Sequence, residues 1–127
     1  MNEVPPRPQD PKDAIRRTGP NSAEADRTYP VPPERLEAAV LAAAKRLSRW
    51  SFEQGVALGE RSGLHLLRTT RVFRFGDDVS VRVTPGGGDG SRLAARSSSR
   101  TGRYDLGQNP RNLRELLRAV DEELSGR

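Results

Sequence analysis

Between Pro33 and Trp50, apolar residues return every three or four positions: Leu36, Val40, Ala43, Leu47 and Trp50. That period places them on one stripe of an α-helix. Pro33 suits a first helical turn, with Glu34 and Glu37 beside it and Lys45, Arg46 and Arg49 towards the far end. Acids early and bases late are the order a helix dipole favours. From Trp50 onwards the period changes to two. Trp50, Phe52, Gln54, Val56 and Leu58 alternate with mostly small or polar residues and predict a first strand. Residues 64–75 predict a second, longer strand carrying Leu64, Leu66, Leu67, Val72, Phe73 and Phe75. Its alternation breaks around Leu67–Thr70, where a bulge or bend is expected. Gly76-Asp77 fits a two-residue hairpin turn with Gly first. Val79, Val81 and Val83 form a third strand, and Pro85–Gly90 is a flexible loop. Leu93 and Ala95 belong to a fourth strand running towards Ser98. The helical period then returns in Leu113, Leu116, Leu117, Val120 and Leu124, with Asn109 as the expected N-cap and Pro110 at the first helical position.

This order predicts a two-layer α+β domain: helix, four-stranded antiparallel sheet, helix, with both helices on one face. Its expected core is Leu36, Val40, Leu47, Trp50, Phe73, Val79, Val81, Leu93, Leu113, Leu117 and Val120. Residues 1–32 are rich in Pro and polar residues and lack apolar periodicity, so they read as a disordered or loosely extended tail, of which residues 1–28 are expected to be dispensable for folding. Tyr29 and Val31 are candidates to dock just before the first helix. Residues 33–127 are then the single folded domain.

Composition narrows the chemistry. The chain has no Cys, which excludes disulfides and thiolate metal sites, and His65 is its only His. No cofactor or metal is expected. No run approaches the roughly 20 apolar residues that cross a membrane, and the N-terminus lacks an apolar signal core. The expected location is therefore cytoplasmic. Residues 1–33 hold as many acids as bases, so the formal charge of +5 lies in the remainder. A basic domain suits phosphorylated small molecules, anionic headgroups or nucleic acid, although much surface charge serves solvation alone.

The densest chemistry lies in Ser97-Ser98-Ser99-Arg100-Thr101-Gly102-Arg103-Tyr104-Asp105-Leu106-Gly107-Gln108-Asn109-Pro110-Arg111. Together with Phe75-Gly76-Asp77-Asp78-Val79 and the preceding Arg96, it resembles the family known as domain of unknown function 1499. That family pairs a Phe-x-Asp-Asp-Val-like segment with an Arg-Ser-x-Ser-Arg-x-Gly-x-x-Asp-Leu-Gly-x-Asn block leading into a basic helix. The resemblance covers residues 33–124 loosely and 75–112 well, and it implies no established activity. Where members often carry a basic run after the Asn, this chain has Pro110, Arg111 and Asn112. The membrane or export segment and Cys-containing lead-in of many members have no counterpart here.

Read from the residues, the block supports two accounts. In one it is architecture: Arg100 pairs with Asp105, Asn109 caps the helix, Gly102 and Gly107 take positive φ, and the Ser hydroxyls satisfy loop backbone. In the other, Arg96, Ser97, Ser99, Arg100, Arg103, Asp105 and Asn109 surround a helix start and take a phosphate or carboxylate. Asp77 reads as a turn residue, and Asp78 as a partner for an Arg across the sheet. His65 reads as a surface or packed His. If the Val79–Val83 side of the sheet faces the helices, Ser80, Arg82, Arg92 and Arg96 face away, joined by Arg74. That face is a second candidate for anions, or an ordinary solvated surface.

Three function classes remain open. The first is a binding domain for an anionic ligand. The second is a non-catalytic protein-interaction or structural module, using the Pro-rich tail or a sheet edge. The third is nucleic-acid binding by the Arg face, disfavoured because the sheet lacks exposed aromatics for stacking. No Ser-His-Asp order, phosphate loop or metal spacing points to catalysis.

Overall fold

The computed structural model describes residues 14–58, 61–69, 76–100 and 107–126, with side chains for all of these except 52–58 and 61–63. Its elements run β1 (Ile15–Gly19), β2 (Ser22–Tyr29), α1 (Pro33–Arg46), β3 (Trp50–Leu58), β4 (Arg61–Thr69), β5 (Gly76–Pro85), β6 (Ser91–Ser99) and α2 (Gln108–Leu124). The strands form one six-stranded antiparallel sheet in the order β1-β2-β6-β5-β4-β3. The chain is thus α+β with two helices, but the sheet has six strands, not the four that the alternation predicts.

The two additional strands come from residues 15–29, within the segment read as a disordered tail. β2 lies against β6 in unbroken register, from Ser22 opposite Ser98 to Tyr29 opposite Ser91. Its inward side chains Ala23, Ala25 and Tyr29 are buried. Ala has weak strand propensity, so tertiary packing rather than local preference makes this strand.

The helix-facing side of the sheet follows strict parity. Asp77, Val79, Val81 and Val83 point inward from β5, and Leu93, Ala95 and Ser97 from β6. Leu64 and Leu66 join them from β4. Leu36, Ala39, Val40, Ala43 and Ala44 of α1 cover this layer with Leu113, Leu116, Leu117, Ala119 and Val120 of α2. Of the expected core, Leu47 is only partly buried, and Phe73 lies outside the described residues. Over Leu67–Thr69, the described part of the expected bulge, β4 pairs with β5 without a shift, and Thr70 lies outside the described residues; β3 carries an irregularity between Phe52 and Gln54.

Leu117 is fully buried at the centre of α2. Leu117→Ala is expected to cost about 2–5 kcal/mol, the range for a buried Leu truncation that leaves a cavity. Urea unfolding measures this directly, and a change below that range would mean that α2 is not docked as described.

Candidate functional site

The polar block divides between the two faces of the sheet. Ser97 continues the inward parity of Leu93 and Ala95, so its side chain lies under α2. There Ser97 Oγ donates to Asn109 Oδ1 at 2.6 Å. Asn109 Nδ2 donates to the Asn21 carbonyl at 2.8 Å and to Ser99 Oγ at 3.1 Å. Asn112 Nδ2 donates to Asp77 Oδ2 at 2.8 Å and to Ser97 Oγ at 3.2 Å, while Gln108 Nε2 donates to Asn112 Oδ1 at 2.6 Å. Ser97, Asn109 and Asn112 have no accessible surface, and Asp77 is 3% exposed. These groups bind one another and tie the start of α2 to β5, β6 and the β1–β2 turn. Buried polar groups that are satisfied this way fix one arrangement of a core.

Two expectations change here. Asn109 is not the N-cap. That position is Gly107, left-handed at φ 82°, and Asn109 turns its amide into the sheet from the first helical turn. A side chain at Gly107 would be strained by the backbone conformation and would also meet the Arg111 guanidinium at 3.2 Å. Asp77 is not a turn residue: it is second in β5 and inward-facing, in phase with Val79 and Val81. Asn112 stands out in the sequence only as a departure from the family's basic run, with no role attached to it. Its signal is helical phase, since Asn109, Asn112, Leu113 and Leu116 share the buried side of α2.

Arg96 and Arg100 fall on the other, open face and do not surround the α2 start. Arg100 Nη2 donates to Asp78 Oδ1 at 2.5 Å, and His65 Nε2 lies 2.9 Å from the same oxygen. The Arg100 hydrogen bond, with His65 adding to it, holds the Asp78 carboxyl below the usual carboxylate range despite the opposing effect of burial. Arg92 Nε donates to Asp26 Oδ1 at 2.6 Å, and Asp26 is likewise lowered, chiefly by that bond. Glu24 accepts from two cations, Arg16 at 2.8 Å and Arg96 at 3.3 Å. Arg103 and Asp105 lie outside the described residues, as do Gly102 and Arg74.

Between these pairs the open face sinks into a trough of about 460 Å³. Its centre is floored by Ser80 and Ala94, with Arg82 beside Ala94 and Arg96 beside Ser80 across the β5–β6 pair. His65 closes the β4 side, and Arg16, Glu24 and Asp26 line the β1–β2 side. Arg82 is exposed and makes no ion pair among the described residues. No cluster of His, Asp and Glu suited to a metal occurs among the described residues, and no helix among them is long and apolar enough to cross a membrane.

An antiparallel sheet with two helices on one face, an architectural Asp/Ser/Asn network beneath α2 and a polar trough opposite defines a small α+β domain whose second sheet face carries no helix among the described residues. The chain belongs to the family described as Protein of unknown function (DUF1499), whose model matches residues 3–120. No curated protein matches the sequence significantly. Among solved structures, CalU16 from Micromonospora echinospora is similar in fold, at 19% identity and TM-score 0.51 over 83% of this chain and 74% of that one. A protein from Thermus thermophilus aligns at 16% identity and TM-score 0.45, covering 83% of this chain and 97% of its own. The human StarD13 lipid transfer and protein localization domain aligns at 12% identity and TM-score 0.43, covering 81% of this chain and 77% of its own.

Proposed function

We propose that this domain binds a small carboxylate- or phosphate-bearing ligand in the open-face trough, held by Arg82 and Arg96 with Ser80 and His65 beside them. The observation that carries this reading is the charge arrangement. Arg16 and Arg96 share the single carboxylate of Glu24, and Arg82 has no acid of its own among the described residues. An anion between Arg82 and Arg96 supplies the missing negative charge, and guanidinium forks match the planar oxygens of such groups. The trough volume of about 460 Å³ suits a metabolite-sized ligand. The described residues of this face include no Phe, Tyr or Trp on which a base could stack, which favours a small anion over single-stranded nucleic acid. In this reading Ser97, Ser99 and Asn109 are supports rather than contacts, because they are spent on the network under α2.

Thermal-shift and calorimetric titration with pyrophosphate and with citrate at low ionic strength test the proposal. A ligand specific to the native state raises the melting temperature by mass action. The Arg82→Gln, Arg96→Gln pair is expected to weaken binding roughly tenfold or more while leaving the unliganded protein folded, since both side chains are exposed. Arg82→Lys keeps the charge, loses the fork and gives an intermediate loss. Failure of both anions to bind, or binding unaffected by the paired variant, would remove the trough as the site.

A further inference from the structure

Outside the trough, α2 divides its charges unequally. Its four acids all have partners within the chain. Glu115 Oε1 accepts from Trp50 Nε1 and lies 3.5 Å from Arg68 Nε. Asp121 pairs with Arg27 at 2.9 Å, and Glu122 and Glu123 both pair with Arg46, at 3.0 and 2.9 Å. Its three bases are arranged differently. Arg111, Arg114 and Arg118 are exposed and recur at steps of three and four, so they form one solvent-facing stripe about 10 Å long. Arg114 and Arg118 make no hydrogen bond or ion pair among the described residues, and Arg111 reaches only the neutral Gln108 side chain, at 3.2 Å.

The stripe is flanked by two depressions. One, of about 370 Å³, lies towards β1 and is walled by Ile15 and Pro110. The other, of about 410 Å³, lies towards the end of α1, where Leu47 and Ala119 line it together with Arg118 and the already paired Glu115 and Glu122. Arg111 and Arg114 border both. A basic ridge beside two hollows that each include aliphatic surface, Ile15 and Pro110 in one and Leu47 in the other, is a shape that side chains of a protein can fill. A flat lipid headgroup surface meets the ridge and leaves the hollows empty, and a phosphate backbone offers nothing apolar to occupy them. Arg rather than Lys, beside partly buried aliphatic side chains, is also the composition that favours protein contacts.

We infer that the exposed face of α2 is a docking surface for an acidic amphipathic segment of another protein. Its carboxylates engage Arg111, Arg114 and Arg118, and its apolar side chains enter the hollows beside Ile15 and Leu47. This surface is independent of the trough, which lies on the opposite side of the sheet.

The test uses the full chain and a fluorescent synthetic helical peptide with Glu at matching helical spacing, flanked by Leu and Ile. A peptide of the same composition in scrambled order, vesicles of phosphatidylglycerol and phosphatidylcholine, and a short DNA duplex serve as competing probes. The ordered peptide is expected to bind more tightly than the scrambled one, with affinity falling as salt rises. Replacing Arg111, Arg114 and Arg118 together by Ala is expected to weaken that binding roughly tenfold or more. The melting temperature should hold, because exposed Arg side chains without partners contribute little to stability. The triple Lys variant should fall between, and the Arg82→Gln, Arg96→Gln pair should bind the peptide as the parent does. The inference is overturned if order in the peptide makes no difference, if the triple Ala variant binds unchanged, or if vesicles or duplex DNA need the stripe while the peptide does not.

Discussion

A chain that begins at Pro30 is expected to lose its cooperative unfolding transition. Removing β1 and β2 strips β6 of one of its two partners along the whole of Ser91–Ser98 and leaves that strand, still paired with β5, as an open edge. Unpaired edge strands invite pairing with other chains, so aggregation should accompany the loss. It also takes Ala23, Ala25 and Tyr29 out of the core and uncovers the side of α2 that packs on β2. The polar losses fall on the same seam. Arg27 can no longer pair with Asp121 at the far end of α2, and the Asn21 carbonyl no longer receives Asn109 Nδ2 or the Ser99 N–H. A single substitution in the full chain checks the same point without truncation. Ala25 is 2% exposed in the middle of β2, so Ala25→Glu buries a carboxylate beside the inward Arg27, which is already paired with Asp121. Such a burial costs several kcal/mol. Circular dichroism with thermal melting distinguishes the outcomes: a truncated chain that melts like the parent would mean that the β2–β6 pairing does not hold the domain together.

The reason β1 and β2 escape a reading of the sequence is physical. The inward positions of β2 are Ala23, Ala25, Arg27 and Tyr29. Two are small, one is charged, and the alternation registers as polar. Its stabilisation is supplied by β6 and α2, which lie far away in sequence. By contrast α1 starts at Pro33 and α2 carries its Leu stripe as the periodicity requires, because long helices with one apolar face announce themselves locally. The buried network was partly legible. Extending the Val79–Val83 parity backwards puts Asp77 inside, and extending Leu93–Ala95 forwards puts Ser97 inside. Polar residues at inward positions are easily read as loop or turn chemistry when the strand end is unknown. What no local pattern contains is the meeting of Asp77 with Asn112, or the sharing of Glu24 by Arg16 and Arg96, since each depends on strand order.

The meeting of Asp77 with Asn112 carries the second large expectation. Asn112 Nδ2 stands 2.8 Å from Asp77 Oδ2 in a site without solvent access on the Asn side. Asn112→Asp changes almost no volume but replaces that donor with a second carboxylate. Two carboxylates at this distance cannot both be ionised cheaply, so one is held protonated in the folded state, its pKa raised above the unfolded value of about 4. The folded protein then binds more protons than the unfolded chain between those two values. Stability of the variant therefore falls as pH rises through that window and is recovered as pH drops towards the unfolded value. At neutral pH the expected cost is about 3–5 kcal/mol, the range for an uncompensated charge introduced into a buried site. The parent should respond in the opposite sense at low pH, because Asp78 and Asp26 are held below the usual range by Arg100 and Arg92 and lose those bonds on protonation. Asn112→Ala removes the same donor without adding charge, so it should cost about 1–3 kcal/mol and show no such recovery. Combining Asn112→Asp with Asp77→Asn reverses donor and acceptor across the contact and should regain part of the loss, a coupling of about 0.5–3 kcal/mol in a double-mutant cycle. Urea unfolding of five proteins, the parent, Asn112→Asp, Asn112→Ala, Asp77→Asn and the double variant, across acid and neutral pH measures all of these together. If Asn112→Asp is neutral at pH 7, or its stability tracks pH as the parent's does, the Asp77–Asn112 contact does not anchor α2 to the sheet.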